Sequence, residues 1–179
     1  MRMVHAGKST LCTPTYLSEF SGDAVLSHTG ASADDETTLQ DFQTGSKRDT
    51  AGWKKIAECR RLANEHGLKF FWITTCCIEK TSSAELSETI YLMYALCERS
   101  TICFSFLSDL GNEAGLRLLP QCRWFRPGWT AQELLAPNTM LSYSRRYQRM
   151  GSENTLGALL AGFTGHPSNS LLHAKDWLR

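Results

Sequence analysis

The chain has 179 residues, 42% of them hydrophobic, and carries 19 Lys+Arg against 18 Asp+Glu for a formal net charge of +1. That length suits one domain with a real core, and the near-neutral balance gives no electrostatic drive toward nucleic acid or an anionic membrane. No apolar run approaches a membrane-spanning length and the N-terminus lacks the apolar stretch of a secretory signal, so a cytoplasmic protein without nucleic-acid or membrane partners is expected.

In chain order, residues 1–20 show no clear periodicity and read as a lead-in to a single domain over 21–179. AVLSHT, residues 24–29, reads as a short buried strand. The polar stretch after it has no core pattern beyond Leu39 and Phe42, which predicts a long loop with at most one helical turn. Ile56, Cys59 and Ala63 recur at i, i+3 and i+7, predicting a helix over 53–66 that Gly67 stops. On that helix Lys54, Lys55, Arg60 and Arg61 read as a solvated face. KFFWITT, residues 69–75, is a near-continuous apolar run of β-prone residues. Ser82 and Glu85 then form the S-x-x-E capping box of a helix reaching about Arg99, with Leu86, Ile90, Met93 and Cys97 on one face. TICFSFL, 101–107, is a third strand; a helix starts near Thr130, a fourth strand spans 140–143, and a last helix spans 154–163.

Strands alternate with helices, and two strands are apolar on consecutive residues. That pattern marks a parallel sheet covered on both faces, an α/β fold of about four to five strands flanked by helices. In such a sheet ligands bind beyond the carboxyl ends of the strands. Those ends place Ser27 and His28, Thr74 to Cys77, and Ser108 and Asp109 along one edge. The helix near Thr130 begins toward the same edge, which lets Glu133 reach the crevice. Thr130 and Glu133 also have the spacing of a capping box, so Glu133 has both a structural and a functional reading.

Several candidate chemistries are weak. AGKST, residues 6–10, has the tail of a P-loop but neither its first glycine nor its preceding strand. The seven cysteines are odd in number and contain no C-x-x-C pair, which fits reduced, mainly structural thiols. A Cys–His nucleophile formed by His28 with Cys76 or Cys77 is conceivable, but one cysteine packing inward while the other lines a loop is the better reading. The five histidines are scattered without ligand spacing, so no metal is expected. Glu85 and Glu88 sit on first helical turns, where structural or solvated roles suffice. The cluster Arg123, Trp124, Phe125, Arg126 and Trp129 either stacks a ring and holds a phosphate or anchors a loop.

The stretches AVLSHT, FFWITTCCIEKTSSAELSETI, CFSFLSDL and RWFRPGWTAQELLAP, in this order, resemble the fungal heterokaryon incompatibility (HET) domain. The resemblance runs from about residue 16 to 165. It implies a flavodoxin-like fold distantly related to TIR domains, and a role in fungal non-self recognition and programmed cell death. Several TIR domains cleave NAD with a glutamate in a W-C-x-x-E-L motif, and GWTAQEL resembles that motif, which would make Glu133 the catalytic carboxylate. The resemblance further implies a pocket of Ser27, His28, Thr75, Cys76 and Asp109 with Trp129 as a wall, no cofactor, and NAD as substrate. The chain departs from the family pattern after Thr29, where a Trp is missing, and at Thr74, Glu79 and Pro127. It is also expected to be shortened at its C-terminal end. Those departures favour a second reading, a non-catalytic TIR-like module that self-associates or binds a partner HET, TIR-like or sensor domain, and a third, a degenerate inactive copy.

Overall fold

The computed structural model describes residues 2–14, 23–111, 118–119, 121–125, 133–134 and 136–152. Its elements are β1 (Met3–His5), β2 (Leu11–Cys12), β3 (Ala24–His28), α1 (Leu39–Thr44), α2 (Ala51–Glu65), β4 (Phe70–Ile73), α3 (Thr74–Cys77), α4 (Ser83–Arg99), β5 (Ile102–Leu107), a 3-10 turn (Arg123–Phe125), β6 (Met140–Ser144) and β7 (Arg149–Ser152). The strands form one sheet in the order β2-β1-β4-β3-β5-β6-β7. β4, β3, β5 and β6 are mutually parallel, and β1, β2 and β7 add antiparallel edges.

The α/β class and the parallel centre agree with the sequence pattern. Leu26 lies between Ile73 of β4 and Phe104 of β5, and all three are buried, as expected of strands covered on both faces. The sheet is larger than the four to five strands expected. The additional strands are two to four residues long, too short to show an alternating pattern. Two of them lie in residues 1–20, so the segment read as a lead-in joins the sheet: Val4 pairs with Phe71, and Met3, Val4 and Ala6 are buried. The helix expected over 154–163 lies outside the described residues.

Local chemistry sets the helix ends. Thr50 caps α2 by accepting from the Trp53 N–H. At the other end Gly67 takes φ +70°, its N–H donates to the Asn64 carbonyl, and the Leu68 N–H donates to the Ala63 carbonyl. This pair of bonds is a Schellman stop, and the left-handed backbone explains the glycine. The run expected as a strand over 69–75 ends at Ile73 and turns straight into α3, which buries Thr75, Cys76 and Cys77.

The core draws on Ile56, Cys59, Leu62 and Ala63 from α2, Met93, Leu96 and Cys97 from α4, and Phe71, Trp72, Ile73, Phe104 and Leu107 from the sheet. Burying a large apolar side chain contributes about 1.5–3 kcal/mol. All seven cysteines are free thiols and six are buried, with burial pushing several of them up. Among the described residues no helix is long and apolar enough to cross a membrane.

Counted in chain order, the four parallel strands run 2-1-3-4 across the sheet. This is the order of a flavodoxin-like sheet, and its switch point falls between β3 and β5. The crossover to β4 and the crossover back to β5 leave in opposite directions. Right-handed connections therefore put α2 and α4 on opposite faces of the sheet and open a crevice at the carboxyl edge.

Candidate active site

A cavity of about 580 Å³ occupies that carboxyl edge, within the 300–1,000 Å³ range of small-molecule sites. His28, Thr29 and Gly30 enter it from the end of β3, and Thr74 from the end of β4. Leu86, Ile90 and Met93 of α4 form an apolar wall, with Thr89 among them. Arg123 and Trp124 of the 3-10 turn, with Ile78, Lys80 and Glu133, complete the lining among the described residues.

Among the described residues of this lining Glu133 is the acidic one. The Ser27 hydroxyl donates to Glu133 Oε2 at 2.5 Å, and the Trp124 indole N–H donates to Ser27 Oγ at 2.8 Å. Ser27 and Trp124 are 0% and 1% exposed, so the relay is anchored in the core. Burial pushes the Glu133 carboxyl up to about 7, although the Ser27 hydrogen bond pulls the other way. Glu133 thus holds its proton in an equilibrium poised near neutrality.

Asp109 does not line the cavity. It accepts from Cys122 Sγ at 2.8 Å and from the Arg123 N–H at 2.7 Å, so it fixes the turn that carries Trp124. Burial raises its carboxyl, but these bonds outweigh it and leave the group below the usual range. Thr75 and Cys76 are buried in α3 and are also absent from the lining. Cys76 and Cys77 are both 0% exposed, so neither lines a loop. The Cys76 thiol is pushed far up by its hydrogen bond with Cys77 and by burial, which makes a thiolate nucleophile unfavourable. Of the residues expected at the site, His28 and Glu133 meet in the cavity and Ser27 stands behind Glu133. Trp129 and the Thr130 partner of the capping box lie outside the described residues.

Two residues with a direct bearing on the site escape the sequence pattern. Lys55, expected on a solvated face, is 4% exposed. Its Nζ pairs with Glu36 Oε1 and lies 3.1 Å from His28 Nδ1. Glu36 is held in turn by the Ala31 N–H at 2.8 Å. Gly52 makes this possible: a Cβ there would sit 2.5 Å from the Thr37 nitrogen, so only glycine lets the preceding loop lie on α2. The signal for Lys55 was positional. Gly52, Lys55, Ile56 and Cys59 follow the 3.6-residue stripe, and all four are buried. Burial, then the Lys55 charge, drive the His28 ring down to about 4. The ring is therefore neutral throughout the physiological range.

The fold and the lining define an α/β domain with a ligand-sized cavity at the carboxyl edge of its sheet, a buried-carboxylate relay on one wall and cations on its rim. Over 156 residues, 83% of this chain, it is 35% identical to the vegetative incompatibility protein HET-E-1 of Podospora anserina. The chain spans 12% of that protein's length. No family profile matches the chain, and no solved structure does.

Proposed function

We propose that this chain is a heterokaryon incompatibility domain whose cavity cleaves the nicotinamide–ribose bond of NAD or a kindred nucleotide, with Glu133 as the catalytic carboxylate. The observation that carries the reading is the Trp124–Ser27–Glu133 relay, which presents one fixed carboxylate to a ligand-sized cavity. The similarity to an incompatibility protein supplies the biological setting. Consumption of a nucleotide on which every cell depends suits the programmed death that the HET resemblance implies.

The chemistry follows from the lining. As the bond breaks, its electron pair goes to the nicotinamide nitrogen, which was cationic and leaves neutral. Positive charge builds on the ribose as in glycoside hydrolysis. An ionised Glu133 beside that centre stabilises the charge where it develops. Water then bonds to the ribose carbon and loses a proton. Arg123 and Lys80 can meet the diphosphate, and the wall of Leu86, Ile90 and Met93 can pack a ring.

The test is nicotinamide release by the purified chain and by Glu133→Gln. The expected result is release by the native chain and a rate at least about 100-fold lower in the variant, the scale of losing an electrostatic stabiliser. Equal rates would remove Glu133 from the mechanism. Thr74 lines the cavity where the HET pattern has an aspartate, which favours the second reading, a non-catalytic interaction module. Absence of turnover in concentrated native protein, with self-association, would put that reading first.

A further inference from the structure

We infer that His28 is a specificity-determining residue: its ring is locked as a neutral Nε2–H donor by the buried Glu36–Lys55 pair, and it receives a neutral carbonyl oxygen of the ligand, of the carboxamide class. The choice of a carboxamide rests on the nucleotide reading of the cavity; the locked donor does not.

The lock is a matter of donor counting. A Lys ammonium has three donors and no acceptor. Lys55 Nζ lies 3.1 Å from His28 Nδ1, so Nδ1 must accept and carries no proton. A neutral imidazole then keeps its proton on Nε2. Burial pulls the Lys55 ammonium below its ordinary value, and the Glu36 carboxylate paired with it acts to keep it charged. Burial and the Lys55 charge both oppose a second proton on the ring, and Lys80 adds to that opposition. Glu36 and a backbone hydrogen bond with Thr29 act in the other direction, but burial and the Lys55 charge outweigh them.

His28 lines the cavity with Thr74 beside its Nε2. Nε2 lies 3.4 Å from Thr74 Oγ1, too long for a well-made bond, and His28 and Thr74 both line the cavity. The N–H thus has capacity left for an incoming acceptor. A neutral donor suits a neutral oxygen; phosphate is better served by Arg123 and Lys80 on the same lining. The buried pair gives little net stability in return, since Glu36 Oε2 has no hydrogen-bond partner among the described residues. Its constructive effect on the site is the tautomer it imposes on His28.

The experiment uses the full chain with ¹⁵N-labelled histidine. The His28 resonances are expected to report Nε2–H, unchanged from pH 5 to 8. In the paired variant Glu36→Gln/Lys55→Met the ring should titrate nearer the ordinary histidine value of about 6.5. A native ring that carries its proton on Nδ1, or that titrates between pH 5 and 8, overturns the inference without touching Glu133. Nicotinamide and pyridine are then compared as probes. Nicotinamide should shift the Nε2–H signal and bind at least about tenfold better than pyridine, and His28→Ala should erase that preference, as expected when a buried donor loses its acceptor. Equal binding of the two probes by a native chain that still hydrolyses NAD overturns the inference alone. Equal or absent binding together with absent hydrolysis overturns the nucleotide reading as well.

Discussion

Ser27 on β3 and Glu133 are joined by a 2.5 Å hydrogen bond across 106 positions of sequence. The bond places a carboxylate that is pushed up to about 7 over the end of a central parallel strand. Its ionisation therefore controls both the proposed chemistry and part of the pH dependence of folding.

The rate of nicotinamide release should rise between pH 6 and 8 with a midpoint near 7, because the carboxylate form stabilises the ribose cation. A rate that falls over that range would show that Glu133 works as an acid. The stability effect has the opposite sense. An acid whose folded value is raised from 4.5 to about 7 binds more protons folded than unfolded in that window. Its contribution is full below about 4.5 and is lost as pH rises toward 7. At about 1.4 kcal/mol per pKa unit the loss is at most about 3.5 kcal/mol, and partial exposure of Glu133 to the cavity reduces it. Denaturant titrations of the native chain and of Glu133→Gln at pH 4.5 and pH 8 should therefore diverge, with the variant gaining relative stability at pH 8.

Ser27→Ala tests the relay by its middle member. The hydroxyl favours the ionised carboxylate, so its removal should move the midpoint of the rate profile to higher pH. It also removes the oxygen that accepts from Trp124. A stability loss of about 1–2 kcal/mol follows. An unshifted midpoint would show that Ser27 does not tune Glu133.

The parallel strands were legible as short apolar runs, and α2 and α4 because each carries a period long enough to count. Wherever two elements meet through one residue, that reading stops. Lys55 sits on the apolar stripe of α2, yet its charge argued for solvent until Glu36 and His28 were found beside it. Asp109 follows β5 at the carboxyl edge, but its bonds to Cys122 and Arg123 turn it away from the cavity. The wall residues Leu86 and Ile90 read as core, and both remain 40% exposed because they face the cavity. The Ser82–Glu85 box is also only half closed. Ser82 accepts from the Glu85 N–H, while the Glu85 carboxylate goes to Arg2 at 2.6 Å. Box spacing therefore does not fix where a glutamate side chain points.

Gly52→Ala should destabilise the chain by about 1–3 kcal/mol, since the new methyl meets Thr37 and Glu36 backbone that cannot rotate away. It should also displace Glu36 from Lys55. The expected signs are a lower denaturation midpoint and an altered His28 resonance in the folded protein. A variant that loses stability while leaving that resonance untouched would separate the loop's packing from its hold on His28.

The Glu36–Lys55 pair can be weighed by a double-mutant cycle. Lys55→Met alone leaves the Glu36 carboxylate without its cation, and Glu36→Gln alone leaves the Lys55 ammonium without its anion. Each single change should cost about 3–5 kcal/mol, the usual result of stranding a buried charge. The double variant should cost much less than the sum, because no uncompensated charge remains. Chemical denaturation of the four proteins measures the difference. Additive losses would mean that solvent reaches the pair, and the Lys55 ammonium could not then hold the His28 tautomer against water.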